Sequence, residues 1–224
     1  MATWRIHNYI AMQLKDELKV KNVDDYLVGS IYPDLPKILA DDSTTSKELH
    51  MDMGKSIKDS DYIIDIFSLP NCAAFIASYG RYITNNDWVK GWFTHIITDF
   101  IFDDYMNRKV TQAYRGIIQV LCVDCVREFE DYAELRKFKH KNLKTYSNLL
   151  QSVAIVPENL SVPEICVKGK RYNTTRIAEE YLKYEDVSSY AECELEFITV
   201  EEYEMLIERV KEYVVDIYER LENQ

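Results

Sequence analysis

Glycine and proline are scarce in this chain, six and five among 224 residues. That scarcity weighs against a sandwich or barrel, which needs many tight turns, and favours long helices. Long hydrophobic runs are missing as well. No stretch approaches the ~18 uninterrupted apolar residues of a spanning helix, so no transmembrane segment is expected. Cysteine occurs in an odd number, at Cys72, Cys122, Cys125, Cys166 and Cys193. No charged and then apolar leader precedes Trp4, so the thiols read as reduced and the expected location is cytoplasmic. Cys122 and Cys125 form a C-x-x-C, but within a helically periodic run and with no second pair at zinc spacing, which reads as a buried helix face. Positive charge is the remaining shortage: 27 Lys and Arg stand against 38 Asp and Glu, a net charge of −11. Duplex nucleic acid is therefore an unsuitable partner, since its binding rests on cationic neutralisation of phosphates.

What is present reads as all-α: a single multi-helical domain over residues 1–224, long enough for one sizeable core. Trp4, Ile6, Tyr9, Ile10 and Leu18 recur on one side of a helix expected over Trp4–Leu18, followed by a polar stretch from Lys19 to Asp25. Gly29–Pro36 reads as a loop in which Pro33 and Pro36 hold Asp34 on a stiff turn. A helix over Ser46–Asp59 carries His50, and Pro70 separates the apolar run Tyr62–Leu69 from a helix ending near Ile83. Asn86 or Asp87 can cap a long helix over Trp88–Asn107. Further helices are expected over Tyr114–Phe138 and Lys144–Ile155, with an irregular connection across 156–173. Thr199 and Glu202 have the spacing of a capping box at the head of a last helix to about Glu222, with Tyr203, Leu206, Ile207, Val210, Val214 and Ile217 on one side.

Only four histidines occur, His7, His50, His95 and His140. His95 and Asp99 stand one turn apart on the Trp88–Asn107 helix, at ~5 to 6 Å by helix geometry, and the apolar residues around them place both against the core. Buried charge there requires a partner. A shared cation is one solution, and a mutual hydrogen bond with a neutral imidazole is another. Two other helical metal classes do not fit: a di-iron bundle needs repeated Glu-x-x-His pairs, and an adjacent His-Asp dipeptide is absent.

The order of motifs carries a resemblance. Trp4 and His7 come first, then Gly29-x-x-x-Pro33-Asp34, then His50, then Gly91-x-x-x-His95-x-x-x-Asp99. Over about residues 4 to 108 this resembles the zinc-dependent phospholipase C family, whose relatives include the single-strand-specific zinc nucleases. The resemblance implies an all-α fold in which 1–108 is the metal-site half and 109–224 a divergent helical half. It implies that Asp34, His50, His95 and Asp99 surround one Zn2+, with Asp99 bridging to a second ion held by His7. Two such ions ~3.5 to 4 Å apart share a hydroxide that attacks phosphorus, and Asp34 beside the attacking water is the implied catalytic carboxylate.

There are departures from the family pattern. Tyr105 stands where three-metal members carry a histidine, and His140 is followed four residues on by Lys144 instead of a glutamate, so the third site is expected to be absent. Asp103 is either a local substitute or an exposed acidic residue. Met1, Ala2 and Thr3 precede Trp4, so the terminal-amine ligand of secreted members is not carried over. The expected activity is metal-dependent hydrolysis of a phosphate ester, whether a phospholipid head group, a nucleotide or a small ester. The alternative is a non-catalytic helical metal-binding or partner-binding protein with a reduced site. The basic run Arg136–Lys144 guides an anionic substrate toward a cleft, lies on an acidic partner, or is simply a solvated loop or helix end.

Overall fold

A computed structural model describes residues 4–35, 43–51, 69–118 and 199–224. Among them the chain is helical without strands: α1 (Trp4–Leu14), α2 (Val23–Gly29), a 3-10 turn (Tyr32–Asp34), α3 (Ser43–Leu49), α4 (Cys72–Ile83), α5 (Asp87–Ile118) and α6 (Val200–Glu222). No helix among these residues is long and apolar enough to cross a membrane. His140, Cys122, Cys125, the basic run and the helix expected over Lys144–Ile155 lie outside the described residues.

The axis of the fold is α5. The Asn86 carboxamide oxygen accepts the Val89 amide at 3.1 Å, satisfying a first-turn donor that the helix cannot. Asp87 takes the other role open to it, accepting the Lys21 and Asn22 amides at 3.0 and 2.7 Å and pairing with Lys90 Nζ at 2.9 Å. Every residue from Trp88 to Asp99 is buried, because α1, α2, α4 and α6 all pack against this helix. A helix enclosed this way must neutralise each polar side chain it carries.

Two glycines set the closest of these contacts. A Cβ on Gly29 would lie 2.2 Å from the Trp88 carbonyl oxygen, and one on Gly91 would lie 2.0 Å from that of Tyr26. Backbone therefore meets backbone where α2 crosses α5, and the two motif glycines are packing residues. Beside the crossing, the buried Tyr26 hydroxyl and Thr94 Oγ1 are 3.1 Å apart, and Thr94 donates to the Lys90 carbonyl at 3.0 Å.

Several boundaries differ from the sequence reading. The first helix ends at Leu14, not Leu18. The chain then winds through a turn closed by Leu18 N–H to Leu14 O at 3.0 Å and Val20 N–H to Lys15 O at 2.9 Å, with Lys19 at φ 53°. Leu18 is nevertheless fully buried, so the apolar period located the burial but not the helix end. Within the stretch read as polar, Asn22 caps α2 by accepting the Asp25 amide, and Asp24 and Asp25 occupy its first turn, where acidic groups suit the helix dipole. The helix carrying Ser46 starts at Ser43 and stops at Leu49, with Met51 at φ 52°, so His50 stands just past its end. No break separates Asn107 from Tyr114, since α5 runs on to Ile118.

The capping box at α6 is formed in both directions: Thr199 accepts the Glu202 amide, and Glu202 accepts that of Thr199 at 2.8 Å. Leu206, Val210, Val214 and Tyr218 are the buried stripe of this helix, while Tyr203, Ile207 and Ile217 are half-buried. Tyr105 on α5 donates to Glu202 at 2.5 Å, joining the two helices.

Candidate metal centre

The fold brings the five predicted side chains to one place from four segments. His7 leaves α1, Asp34 ends the 3-10 turn, His50 follows α3, and His95 and Asp99 leave α5. His7 and His95 are fully buried and stack with ring centroids 3.9 Å apart and planes 14° from parallel. His50 meets His95 edge-on at 5.0 Å.

Asp99 stands between the imidazoles, and its two oxygens divide them. Oδ2 is 3.2 Å from His95 Nε2 and 3.4 Å from His50 Nε2, while Oδ1 is 3.3 Å from His7 Nε2. Asp34 Oδ1 closes the other side at 3.5 Å from His50 Nε2. The two imidazole nitrogens of His50 and His95 are 3.0 Å apart. Donors bound tetrahedrally to Zn2+ at ~2.0 to 2.1 Å lie ~3.3 to 3.4 Å from one another, and these separations bracket that value. Two sets of donor atoms each lie within 4.8 Å of one another, His7 with His95 and Asp99, and Asp34 with His50 and His95.

The protonation pattern follows from the backbone. His95 Nδ1 is 2.7 Å from the Ser30 carbonyl and His50 Nδ1 is 2.6 Å from the Ser46 carbonyl. A carbonyl only accepts, so each Nδ1 carries a hydrogen, and each ring in its neutral form would turn a bare Nε2 inward. Between them, His50 and His95 turn two lone pairs toward the oxygens of Asp34 and Asp99, while the tautomer of His7, whose Nε2 faces Asp99 Oδ1, is not fixed by a main-chain carbonyl. Lone pairs facing carboxylates suit a cation, which a proton on His50 or a divalent ion would supply. A main-chain carbonyl on the outer nitrogen is also the usual way a metal-binding histidine is oriented. The donor set could therefore hold a metal ion, imidazole and carboxylate being ordinary protein ligands of divalent transition metals.

The electrostatics agree. Burial pulls the His50 imidazole down, but the Asp34 and Asp99 carboxylates outweigh it and raise its pKa to about 10. Burial pushes both carboxyls up, and the surrounding imidazoles, His50 first for Asp34 and His95 first for Asp99, overcome that and hold them below the usual carboxylate range. His7 is lowered to about 4, by burial first and by His95 next. Its Nδ1 has no hydrogen-bond partner, unlike the outer nitrogens of the other two rings.

Asp34 and His50 are the members open to solvent, with side chains 23% and 18% exposed, against none for His7 and His95. A ligand approaching from water meets those two first. Asp103, one turn beyond Asp99, is buried, which overturns the exposed reading; it belongs to neither donor set. Tyr105 points to Glu202, as described above.

Three contributors escaped the sequence reading: Ser30, Ser46 and the Trp92 indole, which donates to the Leu49 carbonyl at 2.8 Å and anchors the segment bearing His50. Ser46 stands four residues before His50, a spacing that brings a backbone carbonyl to a side chain at a helix end. Nothing local marks Ser30, whose carbonyl reaches His95 only through the α2 crossing. No family model, no curated protein and no solved structure matches this chain.

Proposed function

We propose that this protein is a metal-dependent phosphoester hydrolase acting in the cytoplasm, with one or two Zn2+ ions. Asp34, His50, His95 and Asp99 Oδ2 would hold one ion, and His7 with Asp99 Oδ1 a second. The observation that carries the reading is the gathering of inward-facing imidazole nitrogens and carboxylates, two of the imidazoles fixed in the ligating tautomer by main-chain carbonyls. The order of Gly29, Pro33, Asp34, His50, Gly91, His95 and Asp99 supports the reaction class through its resemblance to zinc-dependent phospholipase C.

When bound, such an ion supplies an acidified water near neutral pH and stabilises the charge that builds on phosphoryl oxygen. The protein's own groups do the rest. Asp34, on the solvent side, orients the attacking water and accepts its proton. His95 and Asp99, enclosed by α5 and its neighbours, keep water from the inner face. The substrate is a phosphate ester; a phospholipid head group, a nucleotide and a small ester place the same demand on these residues.

A second reading is favoured by the raised pKa of His50: a protonated imidazole between Asp34 and Asp99 satisfies the cluster without a metal, as in a non-catalytic helical protein that binds a partner. Asp34→Asn separates the two. It keeps the shape and removes the charge, so turnover of bis-nitrophenyl phosphate falls by roughly 10²-fold or more, the scale of losing a general base, while the fold and most of the bound metal persist. Metal-replete wild-type protein that is inert toward phosphodiesters, phosphomonoesters, lipids and nucleotides would decide for the non-catalytic reading.

A further inference from the structure

We infer that Ser46 is a positioning residue that couples Asp34 to His50, so that the solvent-facing half of the centre is assembled by one buried hydroxyl. This inference rests on the metal-binding reading above. Ser46 lies in α3 and is 4% exposed. Its Oγ donates to the Pro33 carbonyl at 2.9 Å, the peptide that leads directly into Asp34. Its own carbonyl accepts twice from His50, from the ring Nδ1 at 2.6 Å and from the main-chain amide at 3.0 Å. One residue thus holds the backbone of one donor and the ring of another.

The other constraints act on one donor at a time: the Trp92 indole donates to the Leu49 carbonyl at 2.8 Å and the Asn71 amide to the Met51 carbonyl at 3.0 Å, on either side of His50 but without reaching Asp34. Asp34 is on a turn of three residues closed by Asp34 N–H to Ile31 O at 3.2 Å, a poor hydrogen-bond geometry of the kind typical of 3-10 turns. His50 stands beyond the end of a seven-residue helix, too short to be rigid by itself. The donor separation between them, 3.5 Å, is the longest of the five given above and the one most dependent on two separate segments keeping register. The Ser46 hydroxyl makes the hydrogen bond that ties those two segments together among the described residues. His95 and Asp99 need no such device, being one turn apart on the enclosed α5.

The expected effect is therefore local to metal binding. Ser46→Ala leaves the Ser46 carbonyl and the His50 tautomer in place and frees the Asp34 turn. Affinity for Zn2+, measured by competition with a chromophoric chelator, should fall by roughly 10 to 100-fold, the scale of losing an outer hydrogen bond that orients a ligand. The Co2+-substituted variant should show altered d–d absorption, a signature of coordination geometry that a merely structural loss would not produce. Circular dichroism and the melting temperature of the metal-free protein should stay close to wild type.

Should Ser46→Ala fail to fold, Ser46→Thr and Ser46→Val form a pair of equal shape that differs in the hydroxyl, and Thr should bind zinc at least 10-fold more tightly than Val. Wild type that binds zinc, with Ala or the Thr and Val pair showing equal affinities and an unchanged Co2+ spectrum, would overturn the role of Ser46 and leave the metal centre standing. Wild type that binds neither ion would overturn the metal-binding reading and this inference with it.

Discussion

Replacing Gly91 by alanine tests the helix crossing on which the centre is built. On an exposed helix the change would be favourable by ~1 kcal/mol, since alanine is the better helix former. Here the added Cβ would meet the Tyr26 carbonyl oxygen at 2.0 Å and the Ser30 amide nitrogen at 2.7 Å. Carbon packs at ~3.5 Å or more, so α2 must withdraw from α5 by more than ~1 Å. Overpacking costs ~1 to 3 kcal/mol, and the upper end applies because both obstructing atoms are main chain and cannot swing aside. At ~2 to 4 °C per kcal/mol for a chain of this size, the melting temperature should fall by ~6 to 12 °C. The same withdrawal takes the Ser30 carbonyl from His95, so zinc affinity should fall with stability. Gly80→Ala is the control: its Cβ would rest 3.5 Å from Ile76 Cγ2 and 3.7 Å from Leu221 Cδ2, ordinary contacts, and should stabilise by ~0.5 to 1 kcal/mol. Thermal and urea denaturation of both variants measure this. A Gly91→Ala protein that melts at or above wild type would refute the crossing.

The metal-free protein should be most stable near pH 6.5. His7, lowered from 6.5 to about 4, makes the unfolded chain the better proton binder between those values, so its contribution is lost as pH falls through them. His50, raised from 6.5 to about 10, contributes fully below 6.5 and loses its contribution as pH rises toward 10. Asp34 and Asp99, both held below 3.8, add a further loss in stronger acid. Melting curves from pH 3 to 10 check this, and His50→Ala should flatten the alkaline side; an unchanged alkaline side would contradict the pairing of His50 with the carboxylates. Separately, Thr199→Ala removes the cap on α6 and should cost ~1 kcal/mol, read by urea denaturation, with no change in metal affinity; a neutral variant would show that the box adds nothing.

The parts of this molecule that were legible in the sequence are those written in local spacing. His95 and Asp99 are neighbours through helix geometry alone, the Thr199 and Glu202 box is four consecutive residues, and burial along α6 follows the period of Leu206, Val210 and Val214. The gathering of His7, Asp34 and His50 was not written locally and came through the order of motifs. Helix ends were harder. Leu18 kept the apolar rhythm of α1 while the chain had already turned at Lys19, because burial depends on where a side chain lands and not on the hydrogen bonds that carry it there. Asp24 and Asp25 read as a polar gap, yet acidic residues after an asparagine are also what a helix start requires. Asp103 is buried on the same side of α5 as Asp99 while Asp104 and Tyr105 beside it are only half-buried, a tertiary circumstance that its acidic neighbour Asp104 concealed.

Elemental analysis of protein purified without chelator or added metal, together with anomalous scattering, measures whether the buried histidine and aspartate cluster holds metal. One to two equivalents of Zn2+ or a similar transition ion are expected at His7, Asp34, His50, His95 and Asp99, with metal content lowered in His50→Ala and His95→Ala and unaffected in His140→Ala. A metal-free protein whose melting temperature ignores added zinc would contradict the metal-binding reading.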